Sequence, residues 1–110
     1  MRTTGRPAAH HCGTAAALDV IAGRWKVAIL WELDNGVRRF GALRRALDGV
    51  TEKVLAAQLR ELEADGIVRR EVHPETPPRV EYSLTPVGQA LNKALDPLGA
   101  WADDHLRPAS

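Results

Sequence analysis

One cysteine, one methionine, one phenylalanine and one tyrosine are all that the 110 residues hold of those types. A lone Cys12 makes no internal disulfide, and without a C-x-x-C pair the chain has no basis for a structural zinc of the four-ligand kind. Aromatic residues are only 5% against 45% hydrophobic overall, so the core must be built from Leu, Ala and Val, which favours helices over sheet. No apolar run approaches the roughly 18 residues of a membrane span. The opening MRTTGRPAAHHCG also has nothing of the apolar stretch of a secretory signal. A cytoplasmic chain without membrane contact is expected. Gly-rich phosphate loops are missing, so no cofactor is expected. The net charge of +1 is far from the strongly basic balance that by itself announces nucleic-acid binding, and the placement of the charges must decide.

Residues 1–12 carry Gly5 and Pro7, show no periodicity and read as a flexible arm; residues 13–106 read as one domain. Thr14 is expected to cap a helix over 15–22 that Gly23 ends. A second helix over 24–34 follows, with Trp25, Ile29, Leu30 and Leu33 on one stripe and Asn35-Gly36 closing it. A stub of strand at 37–39 leads into a third helix over 40–47, and Asp48-Gly49 turns the chain. Thr51 caps a fourth helix that Gly66 stops after Asp65. Alternation then predicts a hairpin over 67–72 and 79–84, joined by the proline-rich turn 73–78. Thr85-Pro86 opens a last helix with Leu91, Leu95, Leu98 and Trp101 along an apolar seam, in which Pro97 predicts a kink or break near Asp96. The fold class is mainly α with a small β-hairpin wing, the winged helix-turn-helix order.

On the fourth helix Leu55, Leu59 and Leu62 define the inner face, which leaves Lys53, Ala57 and Arg60 together on the outer one. Ala56 and Ala57 allow close approach to a groove. Thr51 and the free amides behind it offer hydrogen bonds to phosphate, Lys53 and Arg60 offer charge and base-edge donors, and Arg79 sits where a wing reaches the minor groove. Arg38 and Arg39 add charge beside them. The Glu52 and Glu63 carboxylates on the same helix oppose phosphate unless paired. A solvated surface, or a winged-helix module that binds protein in place of DNA, is the competing explanation of these charges. The seam, extended by Leu18 and Ile21 of the first helix, is longer than a core of this size requires and predicts a homodimer.

Several separated stretches share order and spacing with a known group. They are Cys12 through Ala-Leu-Asp-Val-Ile-Ala-Gly-Arg-Trp-Lys26, Arg39-Phe-Gly-Ala-Leu-Arg44, Val54-Leu-Ala-Ala-Gln-Leu-Arg-Glu-Leu-Glu-Ala-Asp-Gly66, and Pro77-Pro-Arg-Val-Glu-Tyr-Ser-Leu-Thr85. Across 12–101 the chain resembles the HxlR family of bacterial transcriptional regulators. The resemblance implies a homodimer joined by the first and last helices, with two recognition helices presented to a pseudo-palindromic double-stranded DNA operator. Two positions depart from the family's pattern. Thr51 stands where Ser is common and keeps the hydroxyl cap. Ala57 stands where a polar residue is frequent, so any base reading there is contact with a thymine methyl.

Catalysis is not expected. His10, His11 and Cys12 are adjacent in the arm and do not converge as a nucleophile and base must, and neither His73, His105 nor the Asp103-Asp104 pair supplies the missing frame. The same triplet has no partner pair for a metal, and no metal site is expected. Trp25, Trp31 and Trp101 read as core or interface, Trp31 being the one that falls off its helix's stripe to face a partner or small cavity. Cys12 leaves two readings open. It is a small structural residue, or a thiol near a helix N-terminus that senses an oxidant or electrophile, as the resemblance implies for some members. In the first case a ligand would be the signal.

Overall fold

The computed structural model describes residues 12–106. Eight elements follow one another: α1 (Gly13–Val20), α2 (Lys26–Leu33), β1 (Arg38–Arg39), α3 (Phe40–Ala46), α4 (Glu52–Ala64), β2 (Val68–His73), β3 (Arg79–Leu84) and α5 (Pro86–His105). The strands form an antiparallel sheet in the order β1-β3-β2, with Arg38 opposite Tyr82 and Glu71 opposite Glu81. This is the mainly helical, winged architecture that the sequence predicts. Residues 1–11 of the expected arm, His10 and His11 among them, lie outside the described residues.

The core is one cluster in which Ile29, Leu30 and Leu33 of α2 meet Leu43 of α3, Leu55, Leu59 and Leu62 of α4, and Ile67, Val68 and Tyr82 of the sheet. Each fully buried leucine contributes roughly 1.5–3 kcal/mol, so the three on α4 fix that helix firmly to the scaffold. α4 begins as predicted: the Val54 amide donates to Thr51 Oγ1 at 3.1 Å. Gly66, at φ +75°, ends the helix in a conformation that side chains other than glycine rarely adopt.

Three expectations are corrected. Thr14 does not cap α1; the extended Cys12 does so by backbone alone, and Thr14 lies inside the helix. The second helix starts at Lys26, not Arg24, because Gly23 at φ +112° turns the chain and Trp25 takes the cap position. Arg24 lies over the Trp25 ring instead, 4.7 Å from its centroid. Finally, α5 runs unbroken through Pro97. Pro97 and Lys93, whose carbonyl loses its helical donor, are both exposed, so solvent can replace that donor.

Two features that hold the frame were not foreseen. Lys26 is 1% exposed, and its ammonium meets the Glu61 carboxylate of α4 at 2.5 Å. At the N-terminus of α5 the Thr85 hydroxyl donates toward the Gly66 and Ile67 carbonyls at 2.6 and 3.1 Å and accepts from the Gly88 amide at 3.0 Å. Farther along α5, Asn92 donates to the Leu30 carbonyl at 2.9 Å, closing the C-terminal end of α2. Both ends of the first half of α5 are thereby tied to the core.

Candidate nucleic-acid interface

With Leu55, Leu59 and Leu62 buried, α4 turns Thr51, Lys53 and Arg60 outward, all exposed, with Ala56 and Ala57 half-buried between them. Neither Lys53 nor Arg60 makes an ion pair among the described residues. Two free cations flanking a strip of methyl groups, on a helix whose opposite face is locked into a core, form a surface that fits a groove lined by phosphate. Glu52 occupies the first turn, where the helix dipole favours a carboxylate, so it has a structural reason to be there.

The sheet places the remaining basic residues unevenly. Arg39 is exposed beside the start of α3, whereas Arg38 is half-buried with its Nε shielded from solvent. Arg79 is not a free wing-tip cation. Its guanidinium lies 3.1 Å from Glu75 and 3.5 Å from Glu81. The turn carries its own counter-charge, a consequence of Glu75 falling four residues before Arg79 in a tight connection.

The expected seam divides into two parts. Ile21 is buried in the chain's own core, and Leu91 and Leu95 pack against that core. They serve the protomer first. Leu18, Leu98 and Trp101 are each about half exposed, and Leu106 more so. Trp31 is 69% exposed, as its position off the α2 stripe predicts. It stands between two open grooves: one of about 370 Å³ against α5, lined by Val27, Asn92, Leu95 and Gly99, and one of about 590 Å³ toward Trp25, Ala28 and Leu47. Cys12 is exposed at the start of α1.

Sequence reasoning missed Lys26, although a signal was present. Lys26, Ile29, Leu30 and Leu33 follow the i, i+3, i+4, i+7 rule, so the apolar stripe of α2 begins on a lysine. Such a position demands a counter-charge within reach, and Glu61, flanking the inner face of α4 and itself half exposed, supplies it.

Comparison with known proteins agrees with this arrangement. The family model described as HxlR-like helix-turn-helix matches residues 20–110. The HTH-type transcriptional regulator YtcD of Bacillus subtilis (strain 168) is 43% identical over 97 residues, which is 88% of this chain and 77% of that one. Among solved structures, the redox regulator HypR in its reduced form superposes with a TM-score of 0.79 at 42% identity, covering 84% of this chain and 92% of HypR. The reduced form of the transcriptional regulator YodB from B. subtilis gives 0.81 at 35% identity, covering 92% of this chain and all, 100%, of YodB. The group consists of regulators rather than enzymes. With a matching model over most of its length and relatives above two-fifths identity, this chain belongs to the HxlR-like family of helix-turn-helix transcriptional regulators.

Proposed function

We propose that this regulator acts in the cytoplasm as a homodimer that lays the two copies of α4 in successive major grooves of a pseudo-palindromic operator. The observation that carries this reading is the outward face of α4, where unpaired Lys53 and Arg60 flank the small Ala56 and Ala57. Thr51 and the first amides of the helix address phosphate, Ala57 touches a thymine methyl, and Arg39 meets the backbone. Arg38 and Arg79 contribute less, the one half-buried and the other held by two carboxylates. On a duplex enriched from a random pool, Lys53→Ala should weaken binding to every sequence and reduce the slope of log affinity against log salt by about one. Arg60→Ala should cost ~1–3 kcal/mol at one base position. Arg79→Ala should change less than either. If the folded Lys53→Ala/Arg60→Ala double variant bound as tightly as the parent, α4 would not be the reading helix.

The short, uncovered α1 supports the dimeric reading. This helix has eight residues, none of them fully buried, and apart from Val20 at its end, which packs against the core, it makes few contacts with the other described elements. A helix that short does not persist in water unaided. Packing Ala15, Ala16 and Leu18 of α1 against the exposed Leu98 and Trp101 of a second copy's α5 covers both.

The same placement suggests how a signal enters. Cys12 is exposed at the start of α1, and HypR, to which the chain is similar, is named a redox regulator. Without a second cysteine in the chain, the reversible products of oxidation are a sulfenic acid, a mixed disulfide with a small thiol, or a bridge between subunits. Any of these alters the packing of α1 and with it the spacing of the two α4 helices. A tenfold loss of operator affinity needs only about 1.4 kcal/mol of coupling. Diamide or a quinone should therefore weaken operator binding by the parent and leave Cys12→Ser unchanged, with the adduct confirmed by mass. The second reading, a small ligand as signal, is favoured by the grooves beside Trp31. Equal affinity of modified and unmodified parent would select it.

A further inference from the structure

We propose that the wing carries a binding site for a divalent transition-metal ion, formed by Glu71, His73 and Glu81 and fitted to Zn2+. These residues come from two adjacent strands. Glu71 and Glu81 are direct cross-strand partners, and His73, two residues beyond Glu71, lies on the same face of the sheet by alternation. One donor atom from each lies within 4.8 Å of the other two. His73 Nε2 is 2.9 Å from Glu81 Oε1 and 3.9 Å from Glu71 Oε1. Ligands around a tetrahedral zinc stand roughly 3.3 Å apart, given bonds of about 2.0–2.1 Å. The observed separations therefore need only small rotations of side chains that are partly open to water.

The outer oxygens of the two carboxylates have neighbours of their own. Glu71 Oε2 faces the Arg69 guanidinium at 3.8 Å, and Glu81 Oε2 faces Arg79 Nε at 3.5 Å. Each glutamate thus has one oxygen on the side of an arginine, at ion-pair rather than hydrogen-bond distance, and the other on the side of the imidazole. Metal-binding carboxylates are oriented in this manner, by a contact to the oxygen that does not bind. Two like charges directly opposite on neighbouring strands destabilise a hairpin. Arg69 and Arg79 already offset part of that repulsion, and a cation between the carboxylates would remove the rest. Three protein ligands leave a fourth position for water, and one imidazole with two carboxylates suits Zn2+ better than Mg2+ or Ca2+, which prefer oxygen alone. The site lies in the wing, away from the outward face of α4, and does not depend on DNA being the partner.

The test is calorimetric titration of the full-length protein with zinc chloride at neutral pH, alongside thermal unfolding with and without the metal. The His10-His11-Cys12 segment is a competing source of ligands, so a His10→Ala/His11→Ala/Cys12→Ser variant accompanies the parent. One Zn2+ per chain is expected in the parent and in that variant, with a rise in Tm in both. His73→Gln should lose the binding and the rise. Glu71→Gln, at an exposed position that cannot threaten the fold, should weaken affinity by at least about tenfold. Undiminished binding by His73→Gln or Glu71→Gln, loss of binding in the arm variant, or no heat in the parent would each overturn the proposal.

Discussion

Gly88→Ala should be the most damaging glycine-to-alanine change among the described residues, lowering stability by about 3 kcal/mol or more. A Cβ at that position would stand 2.2 Å from the Ile67 carbonyl oxygen and 3.1 Å from the carbonyl carbon, both backbone atoms that no rotamer change can move. The helix propensity gained on replacing glycine by alanine, about 1 kcal/mol, acts in the opposite direction and is too small to win. Relief requires α5 to lift, which breaks the bonds from Thr85 to the Gly66 and Ile67 carbonyls and loosens Leu91 and Leu95 from the core. Urea unfolding at fixed protein concentration measures the loss, and Tm should fall by well over about 10 °C. Gly41→Ala in α3 is the control. Its nearest neighbour is the mobile end of Arg45 at 3.3 Å, so that substitution should be neutral or slightly stabilising. An unchanged Tm for Gly88→Ala would mean that α5 does not approach the start of β2 so closely.

The second large effect is expected at the far end of the same helix. Leu98→Glu or Trp101→Glu should convert a dimer into monomers and reduce operator affinity by at least about a hundredfold, because each half-site then binds without the gain from linkage. Both residues are half exposed in the isolated chain, so a glutamate there has water available and the protomer's own fold has little to lose. In a dimer the same carboxylate would be buried without a partner. Sedimentation equilibrium reads the mass, and binding to the enriched duplex reads the affinity. A dimer that survives both substitutions would place the interface elsewhere, with the open grooves beside Trp31 the next surface to probe.

How far the sequence was legible depended on whether local signals and packing agreed. On α4 they did: a hydroxyl cap, leucines at 55, 59 and 62 and a terminating glycine all specify one helix in one orientation, and the structure has it. The hairpin was equally plain, since two β-forming runs flank a turn rich in proline, although burial does not alternate along either strand. Where signals conflicted, tertiary context decided. Pro97 argued for a break, but it lies on an exposed face of α5, where water replaces the lost donor and the helix continues. Ile21 and Leu91 carried the same apolar signature as Leu98, and periodicity cannot say which of them meets the chain's own core and which awaits another surface. The pairing of Arg79 with Glu75 and Glu81 depends on the turn's shape, which its string of prolines does not disclose. The wing's His73 and its two glutamates were invisible for a related reason. They are spread over eleven positions of chain, from 71 to 81, and only the strand register brings them to one face.

Lys26 gives the molecule a torsional reference. Leucine packing fixes α4 against the scaffold, yet apolar contacts resist a small turn about the helix axis less sharply than a directional ion pair does. The ammonium of Lys26 forbids this for α4, because it is sealed from water and meets its opposite charge on that helix alone. Turning α4 enough to carry Glu61 away would leave an unpaired charge inside the protein, which costs several kcal/mol. The angular setting of Lys53 and Arg60 relative to α2 is therefore clamped by one ion pair, and any event that shifts α2 is delivered to them as a rotation.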